Sequence, residues 1–367
     1  MKKIKVGIIG CGGIANQKHL PALSKQSDKV ELVAFCDTKL ERAKEAAEKY
    51  GTPDAKVYED YKELLKDPAI DVVHVLTPNV SHSPITVDAF EAGKHVMCEK
   101  PMAHNTAAAQ KMLDAWKKSG KKFTIGYQNR FRSEVITMHD ACVAGDLGEV
   151  YFAKAHAIRR RAVPTWGVFP DKSLQGGGPL IDIGTHALDM TLWMMDNYEP
   201  VSVTGSVFTK LGHSEEASAG NKFGPWDVDA YEVEDSAFGF VKMSNGATIF
   251  LESSWALNLK DSREACTTLC GTKAGAEIEM TKESGTPQLV FNKTCHGKLT
   301  EESISPGGEV AFFDGESNTD MDVESRQWID AIINDKEPLV KPEQAFVVTK
   351  ILDAIYQSAE EGKEIVF

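Results

Sequence analysis

The sequence predicts an α/β protein that is built from two domains. In the first third of the chain, short apolar segments alternate with amphipathic segments, which is typical of a parallel sheet with helices on both faces. From Glu149 onward, long β-rich segments predict an α+β domain with an open, mostly antiparallel sheet. We expect the domains to cover residues 1–126 and 127–367, and we leave open whether the C-terminal helices pack back on the first domain.

The elements of the first domain follow from its apolar runs and capping residues. The predicted strands are Ile4–Ile9, Glu31–Cys36, Val72–Leu76, His95–Cys98 and Phe123–Ile125. The predicted helices between them are Lys39–Tyr50, one capped by Ser81 that runs to about Ala92, and one capped by Asn105 that runs to about Ser119. Right-handed crossovers should bring the carboxyl ends of the strands, and therefore any ligand, to one edge of the sheet.

The second domain is predicted from its longer β-rich runs. These runs are Val150–Ile158, Val201–Phe208, Ser236–Met243, Ala247–Ala256, Thr267–Leu269 and Gln288–Phe291. An Asn-Gly pair within Ser244–Gly246 predicts a hairpin between two of them. The predicted helices are Leu180–Met195, Met321–Asn334 and Pro342–Glu361.

Charge and cysteine content exclude several classes of partner. With 54 acidic and 41 basic residues, the net charge of −13 repels nucleic acid and anionic membrane surfaces. No apolar stretch approaches the ~18 residues of a membrane span, and glycines interrupt the apolar run after Lys5, which argues against a signal peptide. The cysteines are seven, an odd number without close pairs, which favours a reducing cytoplasm.

A glycine-rich loop follows the first predicted strand. Gly10, Gly12 and Ala15 form a G-x-G-x-x-A pattern that opens a helix, with Gly13 and Ile14 between its last two positions. The first glycine suits a tight turn, the second lets backbone N–H groups approach a pyrophosphate, and the helix N-terminus favours phosphate charge. The sequence therefore predicts a Rossmann dinucleotide-binding domain.

Asp37 specifies the expected dinucleotide. It ends the second predicted strand, near the spacing of about 20 residues at which an acid accepts hydrogen bonds from the adenosine ribose. A carboxylate here repels a 2′-phosphate, so we expect NAD, with NADP less favoured although Lys39 and Arg42 are close in sequence. The alternative is that the glycines only form a packed turn and that Asp37 only caps a helix.

Two further motifs point to a family. Glu99-Lys100-Pro101 follows the strand His95–Cys98, and a G-G-G-x-x-x-D-x-G-x-H pattern runs from Gly176 to His186. With the glycine loop, these motifs resemble the Gfo/Idh/MocA oxidoreductase family over almost the whole chain. The resemblance implies NAD(P)-dependent oxidation or reduction at a hydroxyl of a sugar, cyclitol or related polyol. It also implies that Lys100, Asp182 and His186 act at the reacting carbon.

Elementary chemistry agrees with this assignment. Asp182 and His186 are four residues apart, so a helix presents them on one face, where a carboxylate can orient an imidazole. Oxidation of an alcohol needs a base for the hydroxyl proton, which suits His186, while Lys100 can stabilise the developing alkoxide. The two residues could exchange these roles. A metal site that includes Asp189 is a further interpretation, but no suitable additional ligand stands at useful spacing, so we expect none.

Neighbouring polar residues complete the predicted cofactor site. Thr77, Asn79 and His82 follow the strand Val72–Leu76, at the edge where ligands bind, and the resemblance implies that they and Glu99 contact the cofactor. By the same resemblance, Gln128 contacts nicotinamide or substrate. Its neighbour Asn129 is expected to bind substrate or to be structural. We interpret the flanking residues as interdomain packing or ion-pair residues, namely Tyr127, Arg130 and Phe131.

A loop between a strand and the glycine-rich helix is predicted to set specificity. Arg159-Arg160-Arg161 is followed by Pro164-Thr165-Trp166, and arginine beside an aromatic ring is a common means of holding hydroxyls or anions. We expect Trp166 and one of Arg159 or Arg161 to line the substrate site. The alternative is that the arginines only form a solvated charged surface.

Three functions are consistent with these features. The first is a cytoplasmic NAD-dependent dehydrogenase that acts on a secondary hydroxyl of a sugar, cyclitol or glycoside, with hydride passing to nicotinamide between the two domains. The second retains NAD and oxidises glycosides, or cleaves them, by transient oxidation. The third is a nucleotide-sensing regulator without chemistry, which would not need Lys100, Asp182 and His186. The open sheet predicts a homodimer or homotetramer formed through the second domain.

Overall fold

The structure is a computed structural model that describes residues 3–280, 287–304 and 319–367. The chain divides into two compact units. The first consists of residues 1–128 and 317–346, and the second of residues 129–316 and 347–367.

The described residues form 15 strands and 11 α-helices. The strands are β1 (Ile4–Ile9), β2 (Val30–Cys36), β3 (Lys56–Tyr58), β4 (Val72–Val75), β5 (His95–Cys98), β6 (Phe123–Ile125), β7 (Val150–Ile158), β8 (Pro200–Phe208), β9 (Ser236–Met243), β10 (Thr248–Ser254), β11 (Arg263–Gly271), β12 (Ala274–Met280), β13 (Pro287–Cys295), β14 (Lys298–Ile304) and β15 (Ile365–Val366). The α-helices are α1 (Leu20–Ser24), α2 (Leu40–Tyr50), α3 (Tyr61–Leu65), α4 (Asn79–Glu91), α5 (Thr106–Ser119), α6 (Ser133–Val143), α7 (Lys172–Gln175), α8 (Thr185–Met195), α9 (Glu215–Ala219), α10 (Asp320–Ile333) and α11 (Pro342–Glu361). π-Helical turns occupy Ala15–His19 and Leu180–Gly184, and a 3₁₀ turn occupies Gln128–Phe131.

The first unit contains the predicted parallel sheet. In the described chain this sheet has six strands in the order β3-β2-β1-β4-β5-β6, and every pair is parallel. The strand order reverses between β1 and β4, which is where open α/β sheets bind ligands at the carboxyl ends of their strands. Strand β3 was not predicted because Lys56–Tyr58 is short and polar at its start, and it forms by pairing with β2.

Helix boundaries in this unit follow local capping chemistry. Asn105 caps α5 as predicted, and its side chain accepts a hydrogen bond from the Ala108 N–H. The prediction that Ser81 caps the preceding helix was wrong, because α4 begins at Asn79 directly after Pro78. Pro78 has an extended backbone, so the helix starts as soon as the proline is passed.

The C-terminal segment contributes a helix to the first unit. Thr319 and Asp322 form a capping box at the start of α10. From this helix, Trp328 and Ile329 are buried in the same apolar core as Phe35 of β2. The first unit is therefore completed by residues far from it in sequence.

The second unit is organised around a mixed sheet. Among the described residues it has nine strands in the order β14-β13-β12-β11-β7-β10-β9-β8-β15. The pairings are antiparallel except for β7 with β10, which agrees with the predicted open, mostly antiparallel sheet. The predicted hairpin joins β9 to β10, with Gly246 at φ +88° and Met243 N–H bonded to the Ala247 carbonyl at 2.8 Å. Strands β12, β14 and β15 were not predicted, because β14 and β15 are largely exposed and β12 begins with three small residues and contains two glutamates.

The described ranges contain neither a membrane-spanning helix nor a cluster of metal-ligating side chains. No helix within 3–280, 287–304 and 319–367 has the length and apolar character needed to cross a membrane. Nor do these ranges contain a group of three His, Cys, Asp or Glu side chains arranged to hold a metal ion.

Candidate active site

The glycine loop of the first unit has the shape that a dinucleotide requires. Gly10 has φ +96°, and a Cβ there would lie 2.5 Å from the Leu76 carbonyl oxygen, so this turn tolerates only glycine. A Cβ on Gly12 would have no atom of the described residues within 4 Å, which leaves the backbone there open to approach. Ala15 is fully buried, as close helix packing demands. The loop therefore fits a pyrophosphate at the start of the following helical segment.

Asp37 lies beside this loop at the end of β2. One carboxylate oxygen accepts a hydrogen bond from the Cys11 N–H at 2.9 Å, and the other accepts one from the Lys39 N–H at 2.8 Å. These bonds hold the carboxylate next to the turn where a ribose would lie. Lys39 is the N-cap residue of α2, so the bond from its N–H to Asp37 precedes the helix and does not cap it.

A buried ion cluster lies behind the Glu99-Lys100-Pro101 turn. Lys18 Nζ is 2.7 Å from Glu99 Oε1 and 2.9 Å from Glu324 Oε2, and all three side chains are almost fully buried. Lys18 also donates to Gln128 Oε1 at 3.2 Å. Glu99 in turn accepts a hydrogen bond from the Lys100 N–H at 3.1 Å. The cluster thus links the segment after the glycine loop, the lysine turn and α10.

The two carboxylates of this cluster have opposite electrostatic environments. Burial disfavours the charged form of Glu99, but Lys18 and His19 hold its pKa well below the usual range. Burial raises the pKa of Glu324 to about 7, with Lys18 opposing the shift and the charge of Glu99 adding to it. Lys18 and His19 together therefore compensate the charge of Glu99, whereas Lys18 compensates that of Glu324 only in part.

Three histidines surround the cluster and the adjoining turns. His19 Nε2 lies 2.7 Å from Glu99 Oε1, and His19 Nδ1 lies 3.1 Å from His74 Nδ1. Burial lowers the pKa of both rings, so they are neutral near pH 7. His82 lies between the Thr77 and Pro101 carbonyl oxygens, each at 2.8 Å, and burial lowers its pKa as well. The two ring nitrogens of His82 therefore each lie against a backbone carbonyl of a different turn.

The other predicted cofactor residues of the first unit occupy the same edge of the sheet. Asn79 begins α4 and is buried, while Lys100 is partly exposed at the end of β5. The Lys100–Pro101 peptide bond is cis. Glu99 is enclosed by protein partners, so its direct contact with a cofactor stays a prediction. Ile14 is 38% exposed beside the glycine loop.

The second unit presents the predicted Asp/His pair. The helical segment was predicted as one helix and is instead a π-helical turn, Leu180–Gly184, that leads into α8. Every residue from Gly177 to Met194 is buried except Asp182 and His186, which are partly exposed. Such π-helical turns occur frequently at functional sites. The segment is therefore enclosed except where these two side chains emerge.

Trp255 is a site residue that sequence reasoning missed. Its indole N–H donates a hydrogen bond to Asp182 Oδ2 at 3.1 Å, and the ring is fully buried. Trp255 follows β10, which packs against the π-helical turn. A buried tryptophan needs an acceptor for its N–H, but the sequence does not indicate which one.

A second carboxylate holds the start of the π-helical segment. Glu234 is buried and accepts hydrogen bonds from the Gly178 N–H at 2.9 Å, the Leu180 N–H at 3.1 Å and the Tyr356 hydroxyl at 2.8 Å. A Cβ on Gly177 would lie 2.1 Å from the Tyr356 hydroxyl oxygen, and one on Gly178 would lie 2.3 Å from the Glu234 carbonyl oxygen. Gly177 and Gly178 therefore make room for atoms of the protein itself.

Asp189 does not belong to a polar surface. It is buried and forms a two-point ion pair with Arg130, with Nε to Oδ2 at 2.9 Å and Nη2 to Oδ1 at 2.6 Å. Arg130 also lies over the Trp193 ring, 5.8 Å from its centroid. This ion pair agrees with the ion-pair interpretation of Arg130, and it gives Asp189 a structural partner.

The three candidate substrate residues of the specificity loop, Arg159, Arg161 and Trp166, differ in their contacts and exposure. Arg159 makes a two-point ion pair with Glu264, at 2.7 and 2.5 Å. Burial would lower the pKa of Arg159, but Glu264 and the nearby charge of Asp182 raise it. Arg161 donates to the Asn258 side chain at 2.7 Å, and Trp166 is 54% exposed. Asn129, also expected to bind substrate, is partly exposed in the 3₁₀ turn.

Several other side chains of these sites were not identified from sequence: Lys18, His19, His74, Glu234, Glu324 and Tyr356. Lys18 and His19 directly follow the glycine loop, which is the one available signal for them. The partners of the remaining residues come from distant segments, which spacing does not predict.

Together, a dinucleotide-binding sheet and an Asp/His pair on a partly enclosed helix define a nucleotide-dependent oxidoreductase. The chain belongs to the Gfo/Idh/MocA oxidoreductase family. Residues 4–127 match the model of its NAD-binding Rossmann fold, and residues 141–367 match that of its C-terminal alpha/beta domain. The predicted family, fold class and NAD-binding domain are thus confirmed.

Individual proteins resemble the chain over nearly its full length. The D-glucoside 3-dehydrogenase of Escherichia coli (strain K12) is 36% identical over 99% of this chain and 97% of its own. The crystal structure of an aldose-aldose oxidoreductase from Caulobacter crescentus complexed with glycerol is 26% identical, covers both chains completely and has a TM-score of 0.80. A levoglucosan dehydrogenase in complex with NADH and levoglucosan shares the fold, with a TM-score of 0.83, 21% identity and coverage of 100% and 99%.

Proposed function

We propose that this oxidoreductase transfers hydride between NAD and a secondary hydroxyl or ketone of a sugar, cyclitol or glycoside. The observation that carries the proposal is the pair Asp182 and His186, the two partly exposed residues in an otherwise buried segment of an NAD-dependent enzyme. The full-length similarity to a D-glucoside 3-dehydrogenase supports the sugar or glycoside class.

In the first unit, we assign binding of NAD to the residues around the glycine loop. Gly10, Gly12, Gly13 and Ile14 would receive the pyrophosphate, and Asp37 would accept hydrogen bonds from the ribose hydroxyls. The remaining cofactor contacts are assigned to the turns at the carboxyl edge, at Thr77, Asn79, His82, Glu99, Lys100 and Gln128. When bound, NAD supplies the nicotinamide that takes up hydride from the substrate carbon.

In the second unit, we assign the proton to His186. His186 accepts the hydroxyl proton of the substrate as the C–H hydride leaves, and Asp182, held by Trp255, orients the imidazole. Lys100 of the first unit hydrogen-bonds the reacting oxygen and stabilises its negative charge. An exchange of roles between Lys100 and His186 is the alternative, and a pH profile of each variant separates the two. Asn129, Arg159, Arg161 and Trp166 are assigned to substrate binding.

The test is NAD reduction, followed by absorbance, across inositols, free sugars and glycosides. His186→Ala and Lys100→Ala should each lower kcat/KM by about 100-fold or more, since general acid–base catalysis contributes about that much. His213→Ala and Lys111→Ala are matched controls on side chains outside the proposed site. NAD binding by His186→Ala should equal that of the wild type. Full turnover by either site variant would contradict the assigned mechanism.

The same preparation distinguishes the other two functions. Protein that purifies with nucleotide attached and oxidises glycosides without added NAD would indicate retained cofactor. If no compound of the panel is oxidised although the protein still binds NAD, the result would instead indicate a nucleotide sensor.

We further propose a cytoplasmic homo-oligomer assembled through the second unit. Phe240 is 44% exposed and pairs with Phe250 across β9 and β10, and Phe208 on β8 is 39% exposed. Exposed aromatic side chains on an open sheet favour its burial against a second copy. The seven cysteines, all thiols, support a reducing compartment. Light scattering should give the molar mass of a dimer or tetramer, and Phe240→Glu should shift that mass toward the monomer value. Cell fractionation tests the cytoplasmic location separately.

A further inference from the structure

Two large aromatic side chains of the second unit are exposed side by side. Trp166 is 54% exposed and Phe223 is 38% exposed, and their ring centroids are 4.9 Å apart in an edge-to-face arrangement. Phe169 packs edge-on against Trp166 at 6.1 Å. We call Trp166, Phe169 and Phe223 the aromatic shelf. Apolar side chains gathered at a surface in this way mark a binding site more often than isolated ones do.

The shelf is held in place by polar contacts between its two loops. The buried Asn221 side chain accepts from the Val163 N–H at 2.9 Å and donates to the Val163 and Gly224 carbonyls at 2.9 and 2.7 Å. Thr165 Oγ1 donates to the Phe223 carbonyl at 2.9 Å. The rings are therefore exposed on a fixed backbone, so a ligand would not bear the cost of ordering the loops.

A chain of ring contacts connects the shelf to the proposed reaction site. Phe169 packs edge-on against Trp255, with centroids 6.1 Å apart, and the Trp255 N–H binds Asp182. The exposed Trp166 thus stands two ring contacts from the indole that holds Asp182. This separation suits the part of a substrate that extends beyond the reacting ring.

Cationic groups border the shelf. The Lys222 N–H bonds to the Arg161 carbonyl at 3.1 Å, and the Lys222 ammonium lies 5.8 Å from the Phe223 ring centroid. Arg161 uses Nη2 for Asn258, while its Nη1 is buried and makes no hydrogen bond to the described residues. The Lys222 ammonium near the Phe223 ring suits a ligand that has both an apolar face and oxygen atoms.

We propose that the aromatic shelf binds the second ring of a glycoside, either an aryl aglycone or a further pyranose, by stacking it on Trp166 and Phe223. Both kinds of ring present a flat apolar face to an aromatic side chain. The inference rests on the proposed function, and it narrows the substrate class from free sugars and cyclitols to glycosides. A free monosaccharide at Asp182 would leave the shelf in water.

The test compares substrates that differ only beyond the reacting ring. We would measure kcat/KM for phenyl glucoside, a glucose disaccharide, methyl glucoside and glucose with the wild type and with Trp166→Ala and Phe223→Ala. Each variant should lower the ratio of phenyl to methyl glucoside by about tenfold, as expected for the loss of one stacking contact. The disaccharide ratio shows whether a pyranose uses the same surface. Tyr151→Ala removes a comparably exposed ring elsewhere in the second unit and should leave both ratios unchanged.

The possible outcomes decide the proposal separately from the reaction. If both shelf variants still oxidise glucosides with unchanged ratios, the proposal that the aromatic shelf binds the second ring is wrong. The proposed dehydrogenase reaction is not affected by that outcome. If no sugar is oxidised, calorimetry measures the binding of phenyl glucoside in the presence of NAD. Loss of binding in Trp166→Ala would support the proposal that the aromatic shelf binds the second ring. Equal binding by the wild type and the variant would overturn it. Trp166→Leu replaces the alanine variant if that protein does not fold.

Discussion

Lys18 and Glu99 form an ion pair of 2.7 Å in which both side chains are almost completely buried. Glu99 also accepts the Lys100 N–H, and Lys18 also binds Glu324 of α10. A charge pair in such surroundings is stable only when its partners are complete. The turn that carries the proposed catalytic lysine is therefore connected, through two side chains, to a helix from the far end of the chain.

The partly compensated Glu324 predicts a specific pH dependence of stability. Its folded-state pKa of about 7 lies above its ordinary value of 4.5, so the folded state holds this proton more tightly than the unfolded state between these pH values. Raising the pH through this window should therefore lower the free energy of unfolding, by at most about 1.4 kcal/mol per pH unit. Glu324→Gln should remove this contribution to the pH dependence of the free energy of unfolding, which urea unfolding from pH 4.5 to 7 measures.

The exposed Glu343, also in the first unit, provides the control. Glu343→Gln should follow the wild-type pH profile. If the profiles of the wild type and Glu324→Gln run parallel across the window, Glu324 is ionised in the folded protein and the electrostatic argument is wrong.

Glu234 is predicted to position the Asp182 and His186 segment without contacting substrate. Glu234→Ala leaves the Gly178 and Leu180 N–H groups without their buried acceptor, at a cost of about 1–3 kcal/mol each. The resulting shift of the helix start should lower kcat by about 10- to 100-fold while NAD affinity stays constant.

Glu234→Gln keeps an acceptor oxygen and should recover much of this activity, whereas Tyr356→Phe tests the hydroxyl contact alone. Steady-state kinetics and thermal unfolding of the three variants give the comparison. Loss of stability without any change in kcat would assign Glu234 a purely structural role.

The Arg130–Asp189 pair should behave as a buried unit. Arg130→Met or Asp189→Leu alone leaves one uncompensated charge and should reduce the free energy of unfolding by about 3–5 kcal/mol. The double variant removes both charges and should lie within about 2 kcal/mol of the wild type. Urea unfolding of the four proteins measures the coupling. If the double variant loses as much unfolding free energy as the two single variants combined, an uncompensated buried charge does not explain the losses.

Asp37 is predicted to set the preference for NAD over NADP. Asp37→Ser removes the charge that would face a 2′-phosphate but keeps a hydroxyl near the Cys11 N–H. The ratio of kcat/KM for NAD to that for NADP should fall by about tenfold or more, equivalent to about 1.4 kcal/mol. Asp54→Ser, at an exposed position of the first unit, should leave the ratio unaltered. An unchanged ratio in Asp37→Ser would mean that other groups select the cofactor.

Sequence patterns predicted the regular parts of the fold closely. Ile4–Ile9, His95–Cys98 and Val150–Ile158 occur as predicted, because each is an apolar run long enough to form a buried strand. Strands β3 and β14 were missed, since their residues are short or exposed runs that become strands only by pairing with a neighbour. Ser81 was mistaken for a cap because the extended backbone of Pro78 lets the helix start earlier.

Motif spacing predicted the candidate site residues that belong to short sequence patterns. Gly10 and Asp37 stand where the G-x-G-x-x-A pattern predicts, and Asp182 and His186 emerge together from one buried segment. Their partners were not predictable in the same way. Trp255 reaches Asp182 from β10, and no local pattern links two residues so far apart in the chain.

The sequence by itself predicted most strands of the first sheet, the dinucleotide loop and the candidate residues Lys100 and His186, whose catalytic roles are our proposal. Those features depend on residues close together in the chain, where periodicity, capping and spacing act directly. Only the tertiary structure decided which charges are buried together, as with Lys18, Glu99 and Glu324, and which polar group each buried donor meets. A buried charge or N–H requires a partner, but that partner is chosen by packing between distant segments.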